Sequence, residues 1–583
     1  MQRDNRYYSL YGKAGSKLLD FSLVPFETNQ SLLHLPEEAA LCRDPEDTND
    51  SATSRNLAIA WINNCWTKHT ACSKSALKAS WIPRRLLRIK RVGPSGTVVK
   101  LIDRNQIEGQ PAYVALSHRW GNSDVITLKS ATRAELEAGL PLDRLPTTFR
   151  DAIRVCKWFD LEYLWIDSLC IIQDSPADWL RESHTMKAVY NHAFFTIAAG
   201  AGASDAGLFV NRNPLAVMVP QVETSWHNIP NRRYCIVDDR LWLRDVDQAP
   251  LSQRAWVVQE RFLSSRILFF GATQMFYECC ESSVCESFPG GRAKCELGWQ
   301  PKKLDHRDTT PMKAWYAAAR AYSEANLTRY SDKIVALAGV AEMCQERLQD
   351  KYIVGLWKKR FIAQLCWEAY PQGHDRPDPC IAPTWSWLSI NGSIKFDERF
   401  ELCGQPFLQI LQVHVDLLDE GAPTGQIRSA YLRLKCSLKP ASWHQVTKHG
   451  KMDFRRYQLS CDGIDYTDYS ADSDHRFWTN VDIIPTTQIL DTPVFLMPVT
   501  RVKYGIRTEQ VIALVLQRRT SGTCEYERIG HITVGPAVAE KLFMQRQQEL
   551  QTLSGVLEGI LQYLSLSDDS AWTRIPQQEI VLV

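Results

Sequence analysis

The sequence predicts an α/β core built on a parallel sheet with flanking helices, then a mainly helical region, then a β-rich C-terminal region. Three observations carry this. The apolar segments YVALS (Tyr113 to Ser117), LEYLWID (Leu161 to Asp167) and AFFTIAA (Ala193 to Ala199) alternate with amphipathic stretches. Strands that are apolar almost throughout belong to sheets covered on both faces, and strand–helix alternation makes them parallel. From about residue 381 to 535 the chain turns to short strand-like runs such as TPVFLMPVTRV and TEQVIALVLQRRT, broken by Gly, Pro and Asp.

Residues 1–55 are polar and rich in turn formers, and read as an N-terminal arm. Asn56 to Cys72 reads as a helix, with Ile59, Ile62 and Trp66 at helical spacing. Arg84 to Asp103 reads as a hairpin turning at Pro94-Ser95-Gly96. The segment 147–159 is amphipathic: Phe149, Ala152, Ile153, Cys156 and Phe159 share a face, and Thr148 with Asp151 resembles a capping pair. The helix 176–191 has Ser175 as N-cap, Pro176 at the first helical position and Asp178 at the third, where a capping role accounts for it. SQRAWVVQERFLSSRILFF (Ser252 to Phe270) reads as helix then strand, and should return to the α/β block with Trp256 as its apolar anchor. Pro311 to Tyr370 is mostly helical, and the tail 535–564 holds a further helical stretch. The expected organisation is therefore an arm (1–55), an α/β domain with its leading helix and hairpin (56–275), a mainly helical region (276–390) and a β-rich region (391–583).

Composition bounds the function. At 583 residues the chain is too long for one core. A net charge of +2 creates no strong field for nucleic acid or an anionic membrane. No apolar run is long enough to span a bilayer, and a cytoplasmic protein is expected, with its 17 cysteines mostly as packed thiols. Sequences of the type GxxxxGK[ST] or HExxH do not occur, which disfavours phosphate-loop and zinc-protease chemistry.

Ligands of parallel sheets bind at the carboxyl ends of the strands. That edge carries Ser117, His118, Arg119, Trp120, Gly121, Asp167 and Asp174, with Trp179 and Glu182 on the following helix. Glu182 shares a flank with apolar Trp179 and Met186, so desolvation should raise its pKa; a pairing with Arg181 or Lys187 is the structural alternative. Cys65, His69 and Cys72 project from one side of a helix and are types that zinc accepts, but no fourth ligand is evident and no metal site is assigned.

Three blocks, YVALSHRWG (Tyr113 to Gly121), Leu164 to Ala199, and Ser252 to Phe270 with its Arg-x-Trp-x-x-Gln-Glu pattern, stand in the order found in the fungal heterokaryon-incompatibility (HET) domain, which the chain resembles over about residues 56–390. The resemblance implies an effector or regulator of programmed cell death in non-self recognition, working with a protein partner or by self-association. It also implies a distant likeness to TIR domains, hence a TIR/flavodoxin-like core. On that analogy Glu182 would be the catalytic carboxylate of an NAD hydrolase, with NAD as substrate rather than cofactor. Ser117, Arg119, Trp120, Gly121, Asp167 and Trp179 would then form the ligand pocket. A non-catalytic scaffold, or an accessory protein of a secondary-metabolite pathway, is the remaining reading.

Overall fold

The computed structural model describes residues 8–14, 17–25, 46–72, 81–92, 96–121, 125–202, 206–226, 229–290, 311–397, 400–403, 405–448, 451–467, 477–483, 493–504, 509–519, 524–543 and 576–583. The chain divides into two compact units, Met1–Thr328 and Arg329–Val583, a division that falls inside the segment expected at 276–390.

In the first unit, strands β1 (Tyr8–Ala14) and β2 (Lys17–Pro25) pair antiparallel. Within the expected N-terminal arm, β1 and β2 are thus paired strands of a four-stranded sheet. Helix α1 (Ala52–Lys68) starts on Ser51, whose side chain accepts from Ser54 N. Its buried stripe is Leu57, Ala58, Trp61, Ile62 and Cys65. This stripe is rotated from the expected one: Trp66 is half-exposed and Ile59 only partly buried. The predicted hairpin is β3 (Arg85–Val92) and β4 (Gly96–Asp103), and its turn residues 93–95 lie outside the described residues.

The core strands follow in chain order: β5 (Tyr113–Ser117), β6 (Leu140–Pro141), α2 (Thr147–Trp158), β7 (Tyr163–Ile166), α3 (Pro176–His192) and β8 (Phe195–Ala199). Strands β9 (Gln221–Trp226) and β10 (Ile229–Asp238) join the first sheet, where β10 pairs with β2. The unit continues with α4 (Ala255–Leu263), β11 (Arg266–Phe270), β12 (Met275–Cys279), β13 (Ser283–Cys285) and α5 (Pro311–Glu324).

The main sheet has nine strands in the order β13-β12-β11-β8-β5-β7-β3-β4-β6. The predicted parallel sheet is its centre, β11-β8-β5-β7, while antiparallel strands extend both edges. Numbered from β5 in chain order, these four strands lie in the sequence 2-1-3-4, the flavodoxin-like order. Every residue of β5 and β11 is buried, as a sheet covered on both faces requires. On α2 the buried Phe149, Ala152, Ile153 and Cys156 face the sheet, and a fully buried Phe or Ile contributes roughly 1.5–3 kcal/mol. Thr148 and Asp151 do not act as the expected capping pair. Both side chains instead hold the loop after β8: Thr148 Oγ1 accepts from Gly207 N at 3.2 Å and Asp151 Oδ2 from Leu208 N at 2.8 Å. Gly207 has φ +86°, and a Cβ there would sit 2.6 Å from Asp151 Oδ2, so glycine is required.

The second unit begins with a helix, Val335–Leu348, and is otherwise dominated by an eleven-stranded sheet spanning Phe400–Leu582. Its final strand, Gln577–Leu582, inserts between Ile427–Ser437 and Glu525–Val534. Of the expected tail helix, Pro536–Phe543 is helical and residues 544–575 lie outside the described residues. Arg528 and Asp482 are both fully buried there, joined by contacts of 2.6 and 3.1 Å. Among the described residues no helix is long and apolar enough to cross a membrane.

Candidate functional site

In a 2-1-3-4 sheet the connections leaving the first strand diverge, which opens a crevice at the carboxyl ends of the first and third strands. Here these are β5 and β8. The chain leaves β5 through Ser117 and His118, both buried, into exposed Arg119, Trp120 and Gly121. It leaves β7 directly into Asp167, which opens a short helical turn to Cys170.

Asp167 joins these strand ends. Its Oδ2 accepts from Trp120 Nε1 at 2.7 Å, and its Oδ1 accepts from Ser168 N at 2.7 Å. His118 Nδ1 stands 3.6 Å from Asp167 Oδ1, beyond a direct hydrogen bond. The imidazole meets Phe149 edge-on, with ring centroids 5.0 Å apart. Burial lowers the His118 pKa, only partly opposed by the Asp167 charge, so the ring is neutral at pH 7. Trp120 is 44% exposed, so its indole N–H is tied down while its ring is open to a ligand.

Helix α4, from the third sequence block, packs against α3 and reaches the carboxyl end of β5. Arg254, its N-cap residue, donates from Nη1 to the His118 carbonyl at 2.5 Å. Glu260 is buried, with the Ser117 and Tyr190 hydroxyls beside its carboxyl. Desolvation pushes its pKa up to about 7, against the lowering effects of Ser117 and Arg254. Burial also raises Tyr190, reinforced by the charges of Glu260 and Asp167. The site therefore combines a neutral imidazole, a carboxyl poised to exchange a proton near pH 7, a partly exposed carboxylate and an exposed aromatic ring. This set suits general acid–base work or stabilisation of a cation on a planar ligand.

Of the residues expected at the site, Ser117, Trp120 and Asp167 come together, and Arg119 and Gly121 stand exposed on the same loop. Trp179 packs against Trp256 of α4, rings nearly perpendicular at 6.3 Å. Glu182 is buried and engaged by Arg85, whose Nη2 lies 3.3 Å from Glu182 Oε1 and 2.5 Å from Asp178 Oδ2. Burial raises the Glu182 pKa as the sequence suggests, but its partner is Arg85 of β3 rather than Arg181 or Lys187. Asp178 donates its main-chain N–H to the cap Ser175 Oγ at 3.3 Å, while its carboxylate accepts from Ile172 N at 2.9 Å and pairs with Arg181 at 3.3 Å as well as with Arg85.

The Ser252–Phe270 block, expected to return to the α/β core through Trp256, brings Arg254 and Glu260 to this edge, whereas the sequence does not single out Tyr190 of the helix 176–191. Its phenol could have been suspected, because a buried hydroxyl requires a polar neighbour.

Residues 113–260 match the family model described as heterokaryon incompatibility protein (HET). Neither a curated protein nor a solved structure gives a significant match.

Proposed function

We propose that the heterokaryon-incompatibility domain over residues 113–260 acts as an effector of programmed cell death in fungal non-self recognition, and that its activity resides in the crevice formed by His118, Trp120, Asp167, Arg254 and Glu260. The supporting observation is that Glu260 is buried at the carboxyl end of β5 with the Ser117 and Tyr190 hydroxyls beside it, where desolvation pushes its pKa up to about 7. A group so costly to bury contributes to packing less well than an apolar residue of similar size, so its presence argues for use. The test is inducible expression of the full chain in a filamentous fungus, with viability scored against protein abundance. Wild type should kill; Glu260→Gln and Asp167→Asn should not, at equal abundance. Undiminished killing by both variants would move the effector role away from this crevice.

A second reading, cleavage of NAD at the nicotinamide–ribose bond, is favoured by one observation: the exposed ring of Trp120 lies against the Asp167 carboxylate. The ring would stack a planar base while the carboxylate stabilised the developing ribosyl cation. Glu182 would serve this chemistry only by releasing Arg85, so Asp167 is the better placed carboxylate. Nicotinamide release from NAD by the purified chain, abolished in Asp167→Asn and retained in Glu182→Gln, is the expected pattern. No release by wild-type protein would remove this reading.

A further inference from the structure

Cys65, at the end of α1, His69 and Cys72 just beyond it, and Cys279, the last residue of β12, converge in the first unit. Their ligand atoms all lie within 4.8 Å of one another. His69 Nδ1 is 3.3 Å from Cys279 Sγ and 3.9 Å from Cys72 Sγ. The three cysteines are fully buried and His69 partly so. The sequence assigned no metal here for want of a fourth ligand; that ligand comes from 210 residues beyond His69.

We propose that Cys65, His69, Cys72 and Cys279 bind one zinc ion in a closed structural site. Zinc–sulfur bonds of about 2.3 Å and zinc–nitrogen bonds of about 2.0–2.1 Å put tetrahedral ligand atoms roughly 3.5–3.8 Å apart. The His69 spacings of 3.3 and 3.9 Å fall close to that scale, and no pair of the four ligand atoms is further apart than 4.8 Å. Three thiolates and one imidazole, with no open position, select zinc for a structural rather than a catalytic role. On binding, each thiol releases its proton to solvent, and neutral His69 binds through Nδ1.

Arg266 supports this independently. It is 1% exposed, and among the described residues it pairs with no carboxylate. Its Nη1 donates to the Phe194 carbonyl at 2.8 Å, its Nε donates to Cys65 Sγ at 3.3 Å, and among the described residues its Nη2 meets no hydrogen-bond partner. The guanidinium lies over the rings of Trp66 and Phe194, at 5.1 and 5.6 Å, but ring faces carry no net charge, and a buried guanidinium without an anion remains unfavourable. Three thiolates around a zinc ion carry one net negative charge, which supplies the missing counter-ion. Arg266 is the direct register partner of Cys279, so the strand pairing itself sets the cation against the cluster. The backbone N–H of Ser282 donates to Cys279 Sγ at 3.3 Å, and such N–H···S contacts orient and stabilise thiolate ligands.

The site would clip the end of α1 to β12, beyond the contact that Trp61 makes with Tyr277 at 6.1 Å. Arg266 begins β11, so the cluster lies at the amino edge of the parallel strands, opposite the crevice. Its role is thus separable from the proposed effector chemistry.

The test is the metal content of the full-length protein, purified without chelator and measured by inductively coupled plasma mass spectrometry. About one zinc per chain is expected. Exchange for Co2+ should give the visible spectrum of tetrahedral thiolate-bound cobalt, a readout that wild-type protein provides even if variants fold poorly. His69→Ala and Cys279→Ser should lower zinc occupancy at least tenfold. Three results would overturn the proposal: wild-type protein that neither carries zinc nor takes it up when supplied with zinc chloride, full zinc occupancy in a Cys72→Ser/Cys279→Ser double variant, or a disulfide among these cysteines in the freshly isolated chain.

Discussion

Arg254 Nη1 donates to the main-chain carbonyl of His118 at 2.5 Å, joining segments 136 residues apart at the mouth of the crevice. This contact orients the exit from β5 and holds a positive charge near Glu260. A hydrogen bond from a charged donor is worth about 1.5–3 kcal/mol, and the partial exposure of Arg254 puts this one at the lower end. Arg254→Met should therefore lower the unfolding free energy by about 1–2 kcal/mol in urea titrations. No change would mean that the contact contributes nothing in solution.

Glu260 makes stability depend on pH in a defined direction. Its folded pKa is about 7, above the ordinary glutamate value of 4.5. Between these values the folded chain holds a proton that the unfolded chain has lost. The contribution is fully present below about pH 4.5 and disappears as pH rises through about 7. Glu260→Gln removes the dependence, so from pH 5 to pH 8 the variant should gain about 2.5 kcal/mol relative to wild type. Urea midpoints at both pH values measure this, and an equal difference at each would refute it.

The Arg85 network reverses an expectation of the sequence. Glu182 and Asp178, read as a helix flank and a cap, would each lose about 1 kcal/mol or less on truncation. In the structure both carboxylates and Arg85 are buried, and Arg85 Nε also donates to the Cys170 carbonyl at 2.6 Å. Removing Arg85 leaves buried Glu182 without its ion pair, while Asp178 keeps Arg181 Nη2 at 3.3 Å and the Ile172 N–H, so Arg85→Met should lose about 3 kcal/mol, the lower end for a broken buried pair. Asp178→Ala should follow, and Glu182→Ala should lose least, because Arg85 keeps its shorter contact with Asp178. Thermal unfolding of the three variants ranks them; a Glu182→Ala loss exceeding that of Arg85→Met would overturn the order.

In the second unit Arg528 is bonded to Asp482, donates to the carbonyls of Leu365 and Trp367, and stacks on Trp367 with its guanidinium 3.8 Å from the ring centroid. Breaking one side of such a pair leaves a buried charge, so Asp482→Asn and Arg528→Met should each lose about 3–5 kcal/mol. The double variant should lose clearly less than the sum, as contacting residues are coupled. Additive losses in that cycle would count against the pairing.

Local pattern was enough for the elements of the core. Apolar runs at Val114–Leu116 and Leu164–Ile166 and the stripe on Phe149–Cys156 reproduce the observed strands and helix, because burial on a sheet face leaves its period in the chain. What pattern misses is which distant segment answers a given side chain. Nothing near Glu182 indicates that Arg85 will face it, and nothing near Cys72 announces Cys279. The first residues were misread for a related reason: β2 is ordered by pairing with β10, some two hundred residues further on. A stripe such as Trp179–Tyr190 likewise marks burial without separating a packing phenol from one that faces a carboxyl.

The sheet order also bears on where this domain ends. The family match stops at residue 260, yet β8 is bonded on its outer side to β11, at residues 266–270, and β7 on its outer side to β3, at residues 85–92. Excised at the limits of the match, the segment would keep β5, β7 and β8 but expose two raw strand edges, a template for clumping with other chains. The stretch recognisable by similarity is thus smaller than the piece that can stand alone. The flanking strands act as a sleeve that any transplanted or recombined copy of the module must bring with it.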